Sequence, residues 1–125
     1  MIDSIVSIVI PITDHDRSIS FYTDILGFEV RADFTPGLGM RWVEITLPGA
    51  STTVALATPR GGMWRSPGGD TNICLGCTGI TEEHARLRGA GIDVDDQVLV
   101  LGEHVPRMFR FRDPDGNILQ VVEHQ

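Results

Sequence analysis

The chain has 125 residues, 42% of them hydrophobic and 22% charged, which are the proportions of one folded globular domain and exclude a disordered chain. Acidic residues outnumber basic ones 17 to 10, for a formal charge of −7, which weighs against gripping a nucleic-acid backbone, since that needs a basic patch. The balance suits a cationic or neutral small molecule as partner, although net charge by itself places no site.

The first strand is expected over residues 4–12, rich in Ile and Val. This apolar start lacks a basic leader and a small-residue cleavage site, so it is not expected to act as a signal peptide. No apolar run is long enough to span a bilayer. The expectation is a cytoplasmic protein with no membrane partner. Asp14 is placed to cap a helix over residues 15–26, in which Ile19, Tyr22 and Leu26 recur at helical spacing and Gly27 supplies the stop. Three strands follow, at 28–34, 40–47 and 52–57, with Pro48-Gly49 turning the chain between the last two.

Residues 59–70 hold four glycines and two prolines and read as a mobile connector, with Trp64 as a candidate lid. A strand at 71–77 carries both cysteines, Cys74 and Cys77. Three residues apart on a strand they point to opposite faces, which suits neither a shared metal nor a disulfide. Thr81 can cap a helix over 82–88 that stops at Gly91. Residues 92–101 read as extended, and strands at 107–112 and 118–123 flank the turn Asp113-Pro114-Asp115-Gly116-Asn117. The second half thus repeats the order of the first: Gly27 and Gly91 are 64 residues apart, Pro48 and Pro114 are 66.

Three stretches then carry a family likeness: Asp14-His15-Asp16-Arg17-Ser18-Ile19-Ser20-Phe21-Tyr22 with Leu26-Gly27-Phe28, next Gly89-Ala90-Gly91-Ile92, and last Asp113-Pro114-Asp115-Gly116-Asn117. In this order and spacing the sequence resembles the vicinal oxygen chelate superfamily of glyoxalase I, extradiol dioxygenases and fosfomycin- and bleomycin-resistance proteins. In character it is nearest the metal-free bleomycin-resistance type. The resemblance implies an α+β fold of two tandem β-α-β-β-β modules, about 1–58 and 71–125 around the connector, forming a U-shaped, cup-like mixed sheet within a single domain. It also implies a homodimer. It does not fix the chemistry, because the fold hosts unrelated activities.

The metalloenzymes of the family place one ligand on the first and one on the last strand of each module. Carried onto this sequence, those positions are Ser7 and Ala55, then Asn72 and Gln120. A hydroxyl, a methyl and two amides are a poor donor set for a divalent transition metal, so no metal and no other cofactor is expected. Ser7, Asn72 and Gln120 instead read as uncharged hydrogen-bonding groups on a ligand-facing floor.

Strand alternation buries Phe109 and Phe111 and turns Met108 and Arg110 toward that floor. The repeat carries these onto Trp42 and Glu44, and Cys74 joins them. Trp42 and Met108 suit a planar or cationic ligand, though core packing explains Trp42 equally well. Glu44 and Arg110 can pair with each other, or serve as a general base and an anion contact. His15, His84, His104 and His124 form no constellation and read as surface residues. No phosphate loop and no nucleophile elbow is present.

Two functions follow. The first is a metal-free protein that sequesters a small cationic or neutral molecule through Ser7, Trp42, Glu44, Trp64, Asn72, Cys74, Met108, Arg110 and Gln120. The second is a glyoxalase-, lyase- or dioxygenase-like enzyme with a displaced site recruiting Glu44, His104, Glu123 or His124. A purely structural interaction module is a third reading, which leaves the cup unexplained.

Overall fold

The computed structural model describes residues 1–37 and 39–124. The fold is α+β and divides into two compact units, Met1–Pro67 and Gly68–Gln125. Residues of the expected connector up to Pro67 go with the first unit, while Gly69 and Asp70 already belong to a strand.

In the first unit, strand β1 (Ser7–Pro11) leads to helix α1 (His15–Ser20), a π-helical turn (Phe21–Ile25), and strands β2 (Glu29–Phe34), β3 (Trp42–Thr46) and β4 (Thr53–Ala57). The sheet order is β1-β4-β3-β2, with β1 parallel to β4 and the other pairs antiparallel. Asp14 caps α1 as expected, its carboxylate accepting from the Arg17 backbone N–H at 3.1 Å. The expected single α-helix is α-helical for its first half only and widens into the π turn at Phe21. Tyr22 in that turn is fully buried, with Phe21 and Phe28 edge-on to its ring at 5.2 and 5.6 Å. By register Val43 lies beside Leu56 and Ile45 beside Val54, giving β3 and β4 one apolar face. Ile10, Val43, Ile45 and Leu56 are all wholly buried, each contributing about 1.5–3 kcal/mol of hydrophobic stabilisation.

The second unit comprises β5 (Gly69–Cys77), α2 (Ile80–Gly89), β6 (Met108–Arg112) and β7 (Asn117–Glu123), with sheet order β5-β7-β6. One local expectation is corrected. The cap of α2 is Gly79, in the left-handed conformation (φ 73°), so Thr81 lies inside the helix. A glycine offers no side-chain acceptor, and the Glu123 carboxylate of β7 accepts from the Ile80 N–H instead, at 3.1 Å. The expected extended segment 92–101 runs beside β6, with isolated bridges from Val94 to Phe111 and from Leu99 to Met108 and with the Asp95 and Leu99 N–H groups donating to the Arg110 and Met108 carbonyls at 2.9 and 2.7 Å. The helix stop is as expected: Gly91 (φ 81°) lets the Ile92 N–H reach the Leu87 carbonyl and its own N–H that of Arg88, both at 3.1 Å.

Phe109 and Phe111 are buried, Met108 is half-buried and Arg110 exposed, as alternation required. The Asp113–Asn117 turn is a closed hydrogen-bonded unit. Asp113 Oδ1 accepts from the backbone N–H groups of Asp115 and Asn117, and its Oδ2 from Asn117 Nδ2, all at 2.9 Å. Asn117 in turn accepts from the Gly68 N–H through Oδ1, also at 2.9 Å. The registers bear out the repeat within each sheet: Glu44 sits beside Ala55 as Arg110 sits beside Gln120, and Val9 beside Ala55 as Cys74 beside Gln120.

Candidate functional site

In the first unit the alternation of β3 puts Trp42 and Glu44 on the face opposite the buried Val43 and Ile45. The Trp42 indole N–H donates to Glu44 Oε2 at 3.2 Å, and the Thr53 hydroxyl donates to Glu44 Oε1 at 3.0 Å. Thr53 is only 1% exposed, so Glu44 is held by a buried donor before any ligand arrives. The Trp64 ring lies 6.3 Å from that of Trp42, tilted by 47°. Trp64 has φ 64°, a conformation that is rare and strained for a bulky residue, and its Nε1 is buried with no partner. Ser7 is half-buried on β1 and its strand neighbour is Thr53.

In the second unit Cys74 and Gln120 are register partners, and the Cys74 thiol points at Gln120 Oε1 from 3.8 Å. Gln120 Nε2 reaches Met108 Sδ at 2.6 Å. Met108, Arg110 and Gln120 line a cavity of about 320 Å³ together with Asp95 and Leu99. Asp95 receives Arg112 Nη1 at 2.8 Å and Arg110 Nε at 3.5 Å. Burial pushes the Asp95 carboxyl up, but the hydrogen bonds and charges of Arg112 and Arg110 together hold it below the ordinary carboxylate value. Glu44 and Arg110 each have partners within their own unit.

Asn72 departs from the alternation expected of it. It is exposed, has φ 59°, and sits where the pairing of β5 with β7 shifts register between Asp70 and Cys74; the Asp70 carboxylate accepts from its backbone N–H at 2.8 Å. Period-two reasoning cannot see such a bulge.

The donor set at the four family ligand positions does not fit a divalent metal. Ala55 has no donor atom, Ser7 offers a hydroxyl, and Asn72 and Gln120 offer amides. Among the described residues no three His, Cys, Asp or Glu side chains gather as a metal-holding group. Of the displaced-site candidates, Glu123 is engaged by Arg107 at 2.7 Å and by the Ile80 N–H, His104 is exposed, and His124 lies against Gly76.

Two histidines read from sequence as surface residues are partly packed. His84 donates through Nε2 to the Asp95 carbonyl at 2.6 Å and stands edge-on to Phe109, and His15 Nε2 is buried without a partner. Sequence reasoning also missed Thr53 and Asp95. Alternation out from Ala55 could have found Thr53, whereas Asp95 lies in an irregular segment that carries no periodic signal.

A structure from Sphaerobacter thermophilus of the glyoxalase/bleomycin resistance protein/dioxygenase superfamily is 34% identical, covers 98% of both chains and superposes with a TM-score of 0.90. TnmS3, an antibiotic binding protein from Streptomyces sp. CB03234, is 27% identical over 99% of this chain and 98% of its own, with a TM-score of 0.82. The uncharacterized protein YetH of Bacillus subtilis is 25% identical over 98% of this chain and all of its own length. The glyoxalase/bleomycin resistance protein/dioxygenase superfamily model matches residues 4–121, and the chain belongs to that superfamily.

Proposed function

We propose that this protein binds a planar aromatic organic molecule, cationic or neutral, and holds it chemically unchanged and without a metal ion. The observation that carries this reading is the pair of indoles, Trp42 and Trp64, beside the fixed carboxylate of Glu44. Indole faces attract planar rings and cations, and a carboxylate at their edge complements a positive or hydrogen-bond-donating substituent. The first unit offers Ser7, Trp42, Glu44 and Trp64 to a ligand. The second offers Asn72, Cys74, Met108, Arg110 and Gln120. The likeness to TnmS3, an antibiotic binding protein, supports a binding role over a catalytic one. A cytoplasmic homodimer completes the reading. Its support is that β1 and β5 are each at an edge of their sheet and that Met1, Ile2, Ile5 and Val6 expose apolar side chains.

The test is a tryptophan fluorescence titration with a planar acridinium dye and with a neutral polycyclic aromatic. Saturable quenching is expected, weakened at least tenfold in Trp42→Ala, with the compound recovered unaltered by mass spectrometry after long incubation. Absence of saturable quenching by both compounds refutes the binding role. A chemically altered compound, or stoichiometric metal in protein purified without chelator, refutes the metal-free sequestering role and favours the enzyme.

A further inference from the structure

Strand β2 carries an irregularity that the aromatic site leaves unused. Val30 sits beside Ile45 and Ala32 beside Glu44, so Arg31 is an extra residue with no partner across the ladder. A bulge of this kind re-aims the side chain it inserts. Here Arg31 lines a cavity of about 310 Å³ within the first unit, shared with Glu44, Thr53, Ser4, Ser51 and the apolar Ile5 and Val6. That volume is at the small end for a ligand pocket and suits a compact group.

The charges in the cavity are unusual. Among the described residues every arginine other than Arg31 has a hydrogen bond, an ion pair or a charge partner, and Arg31 has none. Arg31 and Glu44 line the same space without forming an ion pair. Each Glu44 oxygen accepts one hydrogen bond, from Thr53 or from Trp42, and each keeps a free lone pair. A simple anion would meet Arg31 but be repelled by Glu44, and a simple cation would meet Glu44 but be repelled by Arg31. A molecule carrying both charges on adjacent atoms satisfies both walls.

We propose that this cavity is a binding site for a zwitterionic α-amino-acid group, its carboxylate on the Arg31 guanidinium and its ammonium on Glu44. The guanidinium fork matches a carboxylate with two parallel hydrogen bonds. The three ammonium donors have Glu44 and the Ser4 and Ser51 hydroxyls as acceptors. The site shares Glu44 with the aromatic site but does not depend on it. Failure of the dye titration alone strikes the aromatic reading, and failure of the titration below alone strikes this one.

The experiment uses the full chain at pH 7 and follows backbone amide resonances during titration with L-serine, L-leucine and L-methionine, each also as its C-terminal amide and its N-acetyl derivative. At least one free amino acid is expected to give saturable shifts centred on Arg31, Glu44 and Thr53. Amidation and acetylation are each expected to weaken binding at least tenfold. Arg31→Gln should weaken binding of the free amino acid tenfold and erase the preference for acid over amide. The proposal is overturned if no free amino acid saturates, if the amide or the acetyl form binds as well as the parent, or if the shifts centre elsewhere. Because the derivatives need no variant, a destabilised Arg31→Gln protein does not shield the proposal.

Discussion

Replacing Asp113 with alanine removes the acceptor around which the Asp113–Asn117 turn closes. Asp113 is 5% exposed and Asn117 fully buried, so the groups left behind have little access to water. Three donors lose their partner: the backbone N–H groups of Asp115 and Asn117 and the Asn117 side-chain amide, each bonded at 2.9 Å. An unsatisfied buried donor costs about 1–3 kcal/mol. Asp115 is half-buried and its N–H can be rehydrated, which leaves two donors on Asn117 carrying the main loss. The three bonds share one turn and are not additive, so the whole cost is about 3–4 kcal/mol. For a chain of this size that lowers Tm by about 10–15 °C.

Urea and thermal unfolding by circular dichroism measure this change directly. Asn117→Ala removes one partner and also the acceptor of the Gly68 N–H, so the double variant should cost clearly less than the sum of the two. The reasoning is refuted if Asp113→Ala costs under about 1 kcal/mol with an unchanged m-value, or if the two substitutions add.

Gly91 has φ 81° and open space around a would-be Cβ, so Gly91→Ala should cost only backbone strain, about 1 kcal/mol in urea unfolding. Gly89, the last residue of α2, also has open space but no positive φ, so Gly89→Ala should stabilise by about 0.5–1 kcal/mol; a loss there would point to an unseen contact. The Arg41 hydrogen bond holds Asp33 below its ordinary value, the Arg107 hydrogen bond does the same for Glu123, and Asp95 is also low. A carboxylate whose folded pKa is depressed stabilises above the unfolded value of about 4 and loses that contribution as pH falls through the folded value. The urea midpoint should therefore hold between pH 7 and 5 and fall below about pH 4, and a midpoint that rises on acidification contradicts the pairing. Burial, with the nearby charges of Glu83 and Glu123, pushes the Cys77 thiol up, whereas Cys74 is exposed. Iodoacetamide at pH 8 should accordingly label Cys74 well before Cys77, read by peptide mass spectrometry.

What the sequence reveals and what it hides follow one physical division. Features set by a few neighbouring residues were legible: the Asp14 cap, the Gly91 stop, the alternation that buries Phe109 and Phe111. Features set by a partner distant in sequence were not. Nothing near Gly79 announces that Glu123 satisfies the helix start, and nothing near Val30 or Asp70 announces the bulges that free Arg31 and Asn72 from alternation. The repeat sharpens this division. At equivalent register positions the two sheets agree where the side chains are buried, Val43 with Leu56 and Phe109 with Val121, because packing tolerates only apolar groups there. On the opposite face the equivalent positions carry opposite charges, Glu44 in one sheet and Arg110 in the other. Packing does not demand that reversal, since a half-exposed position accepts many residues at little cost. The duplicated frame therefore accounts for the fold, and the divergence of its uncommitted face accounts for the ligand chemistry proposed above. Exchanging the two, as Glu44→Arg or Arg110→Glu, should leave each variant folded with near-native circular dichroism while changing which charges a ligand must carry to bind.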